Sequence, residues 1–464
     1  MPPELFESPP KKRRWPWVLA GLVVALVFTI AAYRAWLNAA IGRELASFRQ
    51  QGYPIALSGL QSWYGPVPDR QNAALRILEA ADFLALDDNS FKHWPDRTEE
   101  LGPEERDHLA DLLTNNFAAF EAIRGIASLP LSRFPMDFSR GPNMLVPHLA
   151  KVKSLTQLLR AEATLYSEQG QVDRALASIQ DAFGLAHSLD QEPLLISQLV
   201  RSACLSITCL SLERVLTQHA LAEAQLASLA EACQKARDAG PGAFQAGYVG
   251  EACFGSYMFH ARPQELGEAL SSDAQSSPFV HVLWPLYTWT GLRERDYLFY
   301  LQNMRAIVEG AKTFPQDLAQ VKRDEDVRGH RLEARRLLIF SRMLLPALER
   351  SAEKQVECDA RLRCAQAALA VELYRAHHDG ALPSDLAAPA AELARIPRDP
   401  IDGHALRFQT RKPGYLVYSI GADRVDNDGT ERGSGSKTGA RKRGAAGEQN
   451  SSTRGYDVTF TVER

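Results

Sequence analysis

Residues 152–189, VKSLTQLLRAEATLYSEQGQVDRALASIQDAFGLAHSL, indicate the fold class of this chain. Apolar residues recur there at three- and four-residue spacing, which is typical of one buried face of an α-helix. The pattern is interrupted at Gln169-Gly170, a dipeptide that favours a turn. We therefore predict one helix over 152–168 and a second over 172–189. The same spacing extends from about 103 to 239, so the predicted fold class is mainly α, with stacked helices.

This helix pair resembles a tetratricopeptide repeat at five positions: Ala163, Tyr166, Gly170, Ala175 and Ala182. It departs from the repeat at His187, where the pattern has a late proline. Any antiparallel helix pair with small residues at its contact has a similar sequence, so both interpretations stay open. In either case the stacked helices offer a surface for a protein partner.

The N-terminus predicts a membrane anchor. Four basic residues at 11–14 precede an uncharged run from Trp15 to Tyr33, which is 19 residues long. A helix of that length spans roughly 28 Å, about one hydrocarbon core. The positive-inside rule gives a cytoplasmic tail at 1–14, a transmembrane helix at 15–37 and an extracytoplasmic remainder. We therefore expect a single-pass protein of a bacterial inner membrane with its bulk in the periplasm. A cleaved signal peptide is the alternative.

Composition excludes some classes of function. With 45% apolar and 23% charged residues the chain is globular, and a net charge of −3 argues against nucleic-acid binding. No spacing indicates zinc, so the cysteines are interpreted as buried small apolar residues. There are six of them: Cys204, Cys209, Cys233, Cys253, Cys358 and Cys364.

We predict an α-helical extracytoplasmic domain over 38–330. Near its start, the loop 64–68, Tyr-Gly-Pro-Val-Pro, and Asn-Ala-Ala at 72–74 resemble a pattern of uncharacterised membrane-anchored bacterial proteins, which implies no activity. The aromatic stretch 279–292 is too short to span a bilayer and contains Pro285. It is interpreted either as core or as a surface that dips into the membrane interface.

The C-terminal region predicts a small α+β module. A long helix from about 331 to 377 is followed by two short strands, at 406–408 and 415–419. Together they form a predicted unit at 331–429. Residues 430–454 are rich in Gly, Ser and basic side chains, which predicts a disordered insertion. An alternating segment at 455–464 predicts the final strand.

Several motifs of this module resemble the C-terminal module of the major pseudopilins of type II secretion: Gly380-Ala381-Leu382-Pro383, Asp399-Pro400, Tyr418-Ser419-Ile420-Gly421-Ala422-Asp423 and an aspartate near the terminus. The resemblance implies calcium binding, with Asp423 and Asp457 as carboxylate ligands assisted by Ser419 or backbone carbonyls. It also implies a place on the outer face of a membrane. No pseudopilin leader motif flanks the anchor, and the whole chain is far longer than a pseudopilin.

Spacing adds Asp426 and Asp428 to the predicted calcium site, because calcium takes six to eight oxygen ligands from a tight acidic loop. A solvated turn is the alternative, since Asp, Asn and Gly dominate turns. No catalytic motif is found, and Glu251 is a lone acid to which we assign no role. We therefore expect a cell-envelope scaffold or interaction protein. An envelope enzyme that acts on glycan or peptide through carboxylates in a helical cleft, and a secretion-apparatus component, are the alternatives.

Overall fold

The computed structural model describes residues 15–87, 89–91, 94–95, 97–262, 284–312, 338–389, 396–431 and 456–464. The predicted fold class is confirmed in its coarse form: the chain is mainly helical, with one small antiparallel sheet. The helices are α1 (Trp15–Gln50), α2 (Leu57–Trp63), α3 (Ala73–Asp82), α4 (Pro103–Asn115), α5 (Phe117–Ile123), α6 (Pro147–Glu168), α7 (Val172–His187), α8 (Leu195–Gln218), α9 (Glu223–His260), α10 (Trp284–Trp289), α11 (Leu292–Gly310) and α12 (Ile339–His377).

The predicted helix pair forms α6 and α7, which pack on each other and on α8. The turn between them contains Gly170 at φ +69°, a conformation that glycine adopts without steric cost. Ala163, Ala175 and Ala182 are buried, because small side chains let the helices approach closely. This geometry fits any close helix pair, so the tetratricopeptide resemblance stays a prediction.

Helix α1 runs without interruption from the uncharged segment into the folded domain. Its first part is exposed, whereas Leu37 and Phe48 in its second part are each 1% exposed. Helix α8 is also long and apolar enough to cross a membrane, but most of its apolar window is buried inside the protein. It is therefore interpreted as the central helix of the core, with α6, α7, α9 and α12 packed around it.

The sheet contains β1 (Arg407–Thr410), β2 (Tyr415–Ser419) and β3 (Val458–Val462) in the order β1-β2-β3, all antiparallel. The predicted strands are thus confirmed. Every residue of the central strand β2 is buried. The predicted insertion at 430–454 lies outside the described residues, apart from Thr430 and Glu431. Residues 331–337 of the predicted long helix and 279–283 of the aromatic stretch also lie outside them.

Two hydrophobic cores stabilise the fold. The larger one combines the stacked helices with the sheet, so that Leu212 of α8 and Leu369 of α12 share a core with Phe460 of β3. The smaller one joins the end of α1 to α2, the second half of α9, α11 and the start of α12. All six cysteines are described, and they are buried free thiols, as predicted.

Candidate functional site

The first turns of α1 form an apolar surface without protein contacts among the described residues. Leu22 is 64% exposed and Phe28 is 72% exposed, and the whole apolar window of the helix is unburied. Exposing apolar surface to water is unfavourable by about 25 cal/mol for each Å². The surface therefore requires an apolar environment that the described chain does not supply.

Helix α10 lies beside the end of this apolar surface. The Arg34 guanidinium donates to the carbonyl oxygen of Trp289 at 3.5 Å. Gly291 packs so closely on α1 that a Cβ there would lie 3.0 Å from Cγ of Arg34. Tyr287 is buried in the core, whereas Leu286 and Trp289 are 53% and 60% exposed. The aromatic stretch thus contains one core residue and two residues that face outward at the level of Arg34.

Polar contacts fix α1 on α11. Arg34 Nη2 lies 2.6 Å from Glu294 Oε1, and Arg305 Nε lies 2.9 Å from a Glu44 oxygen. Gln51 donates to Glu309 Oε1 at 2.6 Å. Together with the buried Leu37 and Phe48, these contacts make the apolar helix a rigid extension of the domain.

The acidic loop is organised around Asp457. This carboxyl group is buried and its Oδ2 accepts the backbone N–H groups of Asn427 at 3.1 Å and Gly429 at 2.8 Å. Burial raises the pKa of Asp457. Gly429 has φ +72°, and a Cβ there would lie 2.2 Å from Leu416 Cδ2, so any other residue would strain the backbone and displace the Leu416 side chain. The structure thus places Asp457 directly behind the acidic loop.

The other three predicted ligands are exposed and partly hydrogen-bonded within the loop. Asp423 Oδ1 accepts the Val425 N–H at 3.1 Å, and Asp426 Oδ1 accepts the Asp428 N–H at 3.0 Å. Asp428 itself has φ +54°. Within the part of the chain that the structure describes, no three acidic, histidine or cysteine side chains converge as a ready metal site. Calcium binding stays a prediction.

Asp399 is a buried acceptor that the sequence did not single out as a site residue. Its carboxylate accepts the Ser419 hydroxyl at 2.7 Å and the Ile420 N–H at 3.1 Å, and it pairs with Arg407. Burial raises the pKa of Asp399. Ser419, predicted to assist in binding calcium, donates its hydroxyl hydrogen to Asp399 in this structure. In the sequence, the Asp399-Pro400 turn drew attention to this residue. The turn does not reveal that Asp399 is buried, because its partners Ser419 and Ile420 are distant along the chain.

A second site that the sequence did not indicate is a cleft between α7, α8 and α9, which we name the α7–α9 cleft. It encloses about 230 Å³, and Phe183 and Leu205 belong to its apolar lining. Asp190 is paired with both His187 and Arg201. Burial alone would raise the pKa of Asp190, but these two partners hold it below its usual value. We call Asp190 and Arg201 the polar floor of the cleft. Their ion pair holds both side chains in place.

The rim of the α7–α9 cleft carries Glu231 and Lys235, both exposed and one helical turn apart on α9. Such a cleft combines apolar lining residues, fixed polar groups and both signs of charge. This combination suits an extended peptide, whose backbone and side chains present all three kinds of group.

Two other carboxyl groups have strongly shifted pKa values. Burial raises the pKa of both Glu213 and Glu251 to about 7. Glu213 accepts the Thr461 N–H at 2.5 Å and faces Arg97 at 3.5 Å, whereas Glu251 lies on α9 and accepts the backbone N–H of Leu195, the first residue of α8. Neither is among the residues that line the α7–α9 cleft. The enzymatic alternative stays a prediction.

Comparisons with family models, with curated proteins and with solved structures found no match for this chain. The pseudopilin and tetratricopeptide resemblances are therefore neither confirmed nor contradicted.

Proposed function

We propose that this chain is a single-pass, membrane-anchored scaffold or interaction protein of the cell envelope. One observation carries the proposal: α1 is a single helix whose first half is apolar and exposed and whose second half buries one face, including Leu37 and Phe48, in the domain core. A cleaved signal sequence has no reason to continue into the core of the mature protein. An anchor that positions a domain on a membrane does.

The orientation follows from charge. Lys11, Lys12, Arg13 and Arg14 precede the uncharged run, and the positive-inside rule keeps such clusters in the cytoplasm. The domain then lies on the opposite face, which in a bacterial inner membrane is the periplasm. Buried thiols are compatible with that compartment, because oxidants reach only accessible cysteines.

A protein partner is the second part of the proposal, with the α7–α9 cleft as its docking surface. The partner is an extended segment that brings a cationic group to Glu231 and an anionic group to Lys235. The exposed rim and the fixed Asp190–Arg201 floor support this choice.

Alkaline washing of membranes tests the anchor. We expect the full chain to stay in the membrane fraction and to retain residues 1–33. The double variant Val23→Arg/Val24→Arg is expected in the wash supernatant, because each arginine at the centre of a span costs about 3 kcal/mol. Leu145→Arg is the matched control, since Leu145 is 76% exposed on the folded domain. Removal of the N-terminal run from the mature chain would contradict the anchor.

A photo-crosslinker at Ser228, inside the α7–α9 cleft, tests the partner surface. We expect one discrete protein adduct, and we expect the charge swap Glu231→Lys/Lys235→Glu to abolish it at constant net charge. A crosslinker at the exposed Glu104 of α4 is the control and should give no such adduct. An adduct that survives the charge swap would contradict recognition by the rim.

Calcium binding at the acidic loop is the third part of the proposal. It is supported by three carboxylates within six residues and by the buried Asp457 behind them. Calcium that binds only the native state stabilises it by mass action. We expect millimolar calcium to raise the melting temperature of the full chain over its value in EDTA, and Asp426→Ala/Asp428→Ala to remove that rise. An equal melting temperature in calcium and EDTA would reduce the loop to a hydrogen-bonded turn.

A further inference from the structure

Helices α3 and α5 lie side by side at the edge of the larger core. Near the start of α3, the Arg76 guanidinium donates to the carbonyl oxygens of Ala122 and Arg124 at the end of α5, each at 2.9 Å. Just after α3 ends, the Ala85 N–H donates to the side-chain oxygen of Asn116 at 2.8 Å, and α5 begins at the next residue. The two helices are therefore antiparallel, and their outward residues form one continuous surface.

Three large apolar side chains are exposed on this surface. Leu75 is 43% exposed, Phe83 is 48% exposed and Phe117 is 65% exposed. Leu75 and Phe83 are separated by about two helical turns, or about 12 Å along α3. Phe117 lies at the Phe83 end of the surface, because the Asn116 side chain is bonded to Ala85. Clustered apolar side chains with a polar rim are typical of protein interaction sites.

The rim of this surface is negatively charged. Glu79 and Asp82 of α3 and Glu121 of α5 are all exposed, and in the described part of the chain none of them forms an ion pair. The only basic residue in the two helices is Arg76, whose guanidinium is held by the two carbonyl oxygens of α5. We name this surface the α3–α5 face and define it by three apolar and three acidic residues: Leu75, Phe83, Phe117, Glu79, Asp82 and Glu121.

We propose that the α3–α5 face binds a basic amphipathic helix of a protein partner. The apolar side of that helix covers Leu75, Phe83 and Phe117, and its lysine or arginine side chains pair with the three carboxylates. Two turns of a partner helix match the distance of about 12 Å between Leu75 and Phe83. The α3–α5 face shares no residue with the lining of the α7–α9 cleft, so the two surfaces are tested independently.

Charge favours this partner over the other occupants of an apolar surface. Three unpaired carboxylates repel an anionic lipid surface and the phosphate backbone of a nucleic acid. A second copy of the chain that used the same face would bring like charges together, because symmetric pairing places identical patches opposite each other. A basic helix supplies both the apolar contact and the compensating charge.

Three synthetic helical peptides test the two requirements separately. The first combines leucine on one face with lysine on the other, the second replaces each lysine by glutamate, and the third replaces each leucine by alanine. Fluorescence anisotropy with the full chain in a nonionic detergent is expected to show binding of the leucine–lysine peptide alone. Added salt should weaken that binding, because it screens exposed charges.

Variants of the α3–α5 face locate the binding. Phe83→Ser/Phe117→Ser is expected to weaken the leucine–lysine peptide by about tenfold or more, because both exposed rings are lost from the contact. Glu79→Lys/Asp82→Lys should weaken it by a similar factor and make the leucine–glutamate peptide bind instead. All four positions are exposed, so the variants should keep their melting temperatures.

Matched controls lie outside the face. Leu145→Ser removes a side chain that is 76% exposed elsewhere on the domain. Glu104→Lys/Asp107→Lys makes the same change of net charge at two exposed positions in the first half of α4. Both controls should leave binding of the leucine–lysine peptide unchanged.

Failure of the leucine–lysine peptide to bind more tightly than the other two would overturn the proposal, as would an equal loss of binding in the α4 control. A dimer of the full chain that Phe83→Ser/Phe117→Ser dissociates would assign the face to a second copy. A polarity-sensitive dye on Phe117→Cys that reports an apolar environment in phosphatidylglycerol vesicles without peptide would assign it to the membrane. Either result would overturn the choice of a partner helix.

Discussion

Glu213 is a buried carboxyl group at the contact between α8 and the last strand. It accepts the Thr461 N–H at 2.5 Å, and the Arg97 guanidinium lies 3.5 Å away. Burial raises its pKa to about 7 in spite of these two partners. In the unfolded chain a glutamate has a pKa of about 4.3. The native state therefore binds more protons than the unfolded state between those two values.

The consequence is a loss of stability as pH rises. When the native state binds the extra proton, the free energy of unfolding falls as pH increases through the window from about 4.3 to about 7. We expect Glu213→Gln to reduce that loss by about 1–3 kcal/mol between pH 5 and pH 8, on the scale of about 1.4 kcal/mol per pKa unit. Denaturant unfolding at both pH values measures it, with the exposed Glu79→Gln as control. An identical pH slope in Glu213→Gln and the unaltered chain would contradict the shifted pKa.

The buried thiols give a second prediction at this scale. Burial raises the pKa of Cys204 to about 11 and of Cys233 to about 12, so little thiolate forms near neutral pH. Cys358 in addition donates weakly to the Ser202 carbonyl at 3.8 Å. We expect a maleimide to leave all six cysteines of the native chain unlabelled and to label all six in guanidinium. In the variant Leu145→Cys, the new exposed cysteine should be labelled quickly in the native state, which would show that the reagent is active. Native labelling of the original thiols would contradict their burial.

At the scale of elements, α10 is expected to contact the membrane interface beside the anchor. Trp289 is exposed next to Arg34, and tryptophan favours the headgroup region. In vesicles of phosphatidylcholine and brominated phosphatidylcholine, lipid bromine should quench part of the tryptophan fluorescence. Trp289→Phe should lower the quenched fraction, whereas Trp63→Phe on α2 should not. Equal quenching in both variants would place α10 away from the lipid.

The elements that sequence predicted well are those determined by local pattern. The pair α6 and α7 follows from three- and four-residue spacing and from Gly170, and β2 from a run of apolar and aromatic residues. Which groups of each element are buried or in contact depends on residues that are distant in the sequence. The carbonyl oxygen of Trp289, for example, accepts a hydrogen bond from Arg34, 255 positions earlier. Asp399 is buried because Ser419 and Ile420 donate to it across the module. No local pattern encodes such contacts, and the α7–α9 cleft was missed for the same reason.

At the scale of the whole molecule, the last strand, β3, connects the sheet to the stacked helices. On one side β3 pairs with β2, and on the other Thr461 contacts Glu213 of α8. Arg464 donates to the Leu216 carbonyl at 2.7 Å and pairs with Glu372 of α12. The sheet and the stacked helices thus share one core. The C-terminal α+β module that the sequence predicts is therefore part of a larger folded unit, because its sheet shares a core with the stacked helices.

This shared core predicts that damage at β3 spreads to helices far away in the sequence. Phe460 is 1% exposed, so Phe460→Ala should cost about 3–5 kcal/mol through lost burial and the cavity left behind. Because Leu212 belongs to the same core, amide hydrogen exchange of α8 and of β2 should accelerate together. Val425→Ala, at a side chain that is 55% exposed in the same module, should change stability by less than about 0.5 kcal/mol. If Phe460→Ala accelerated exchange in the sheet while α8 kept its protection, the sheet would be an independent folding unit, and the continuous core would not be what holds the last strand.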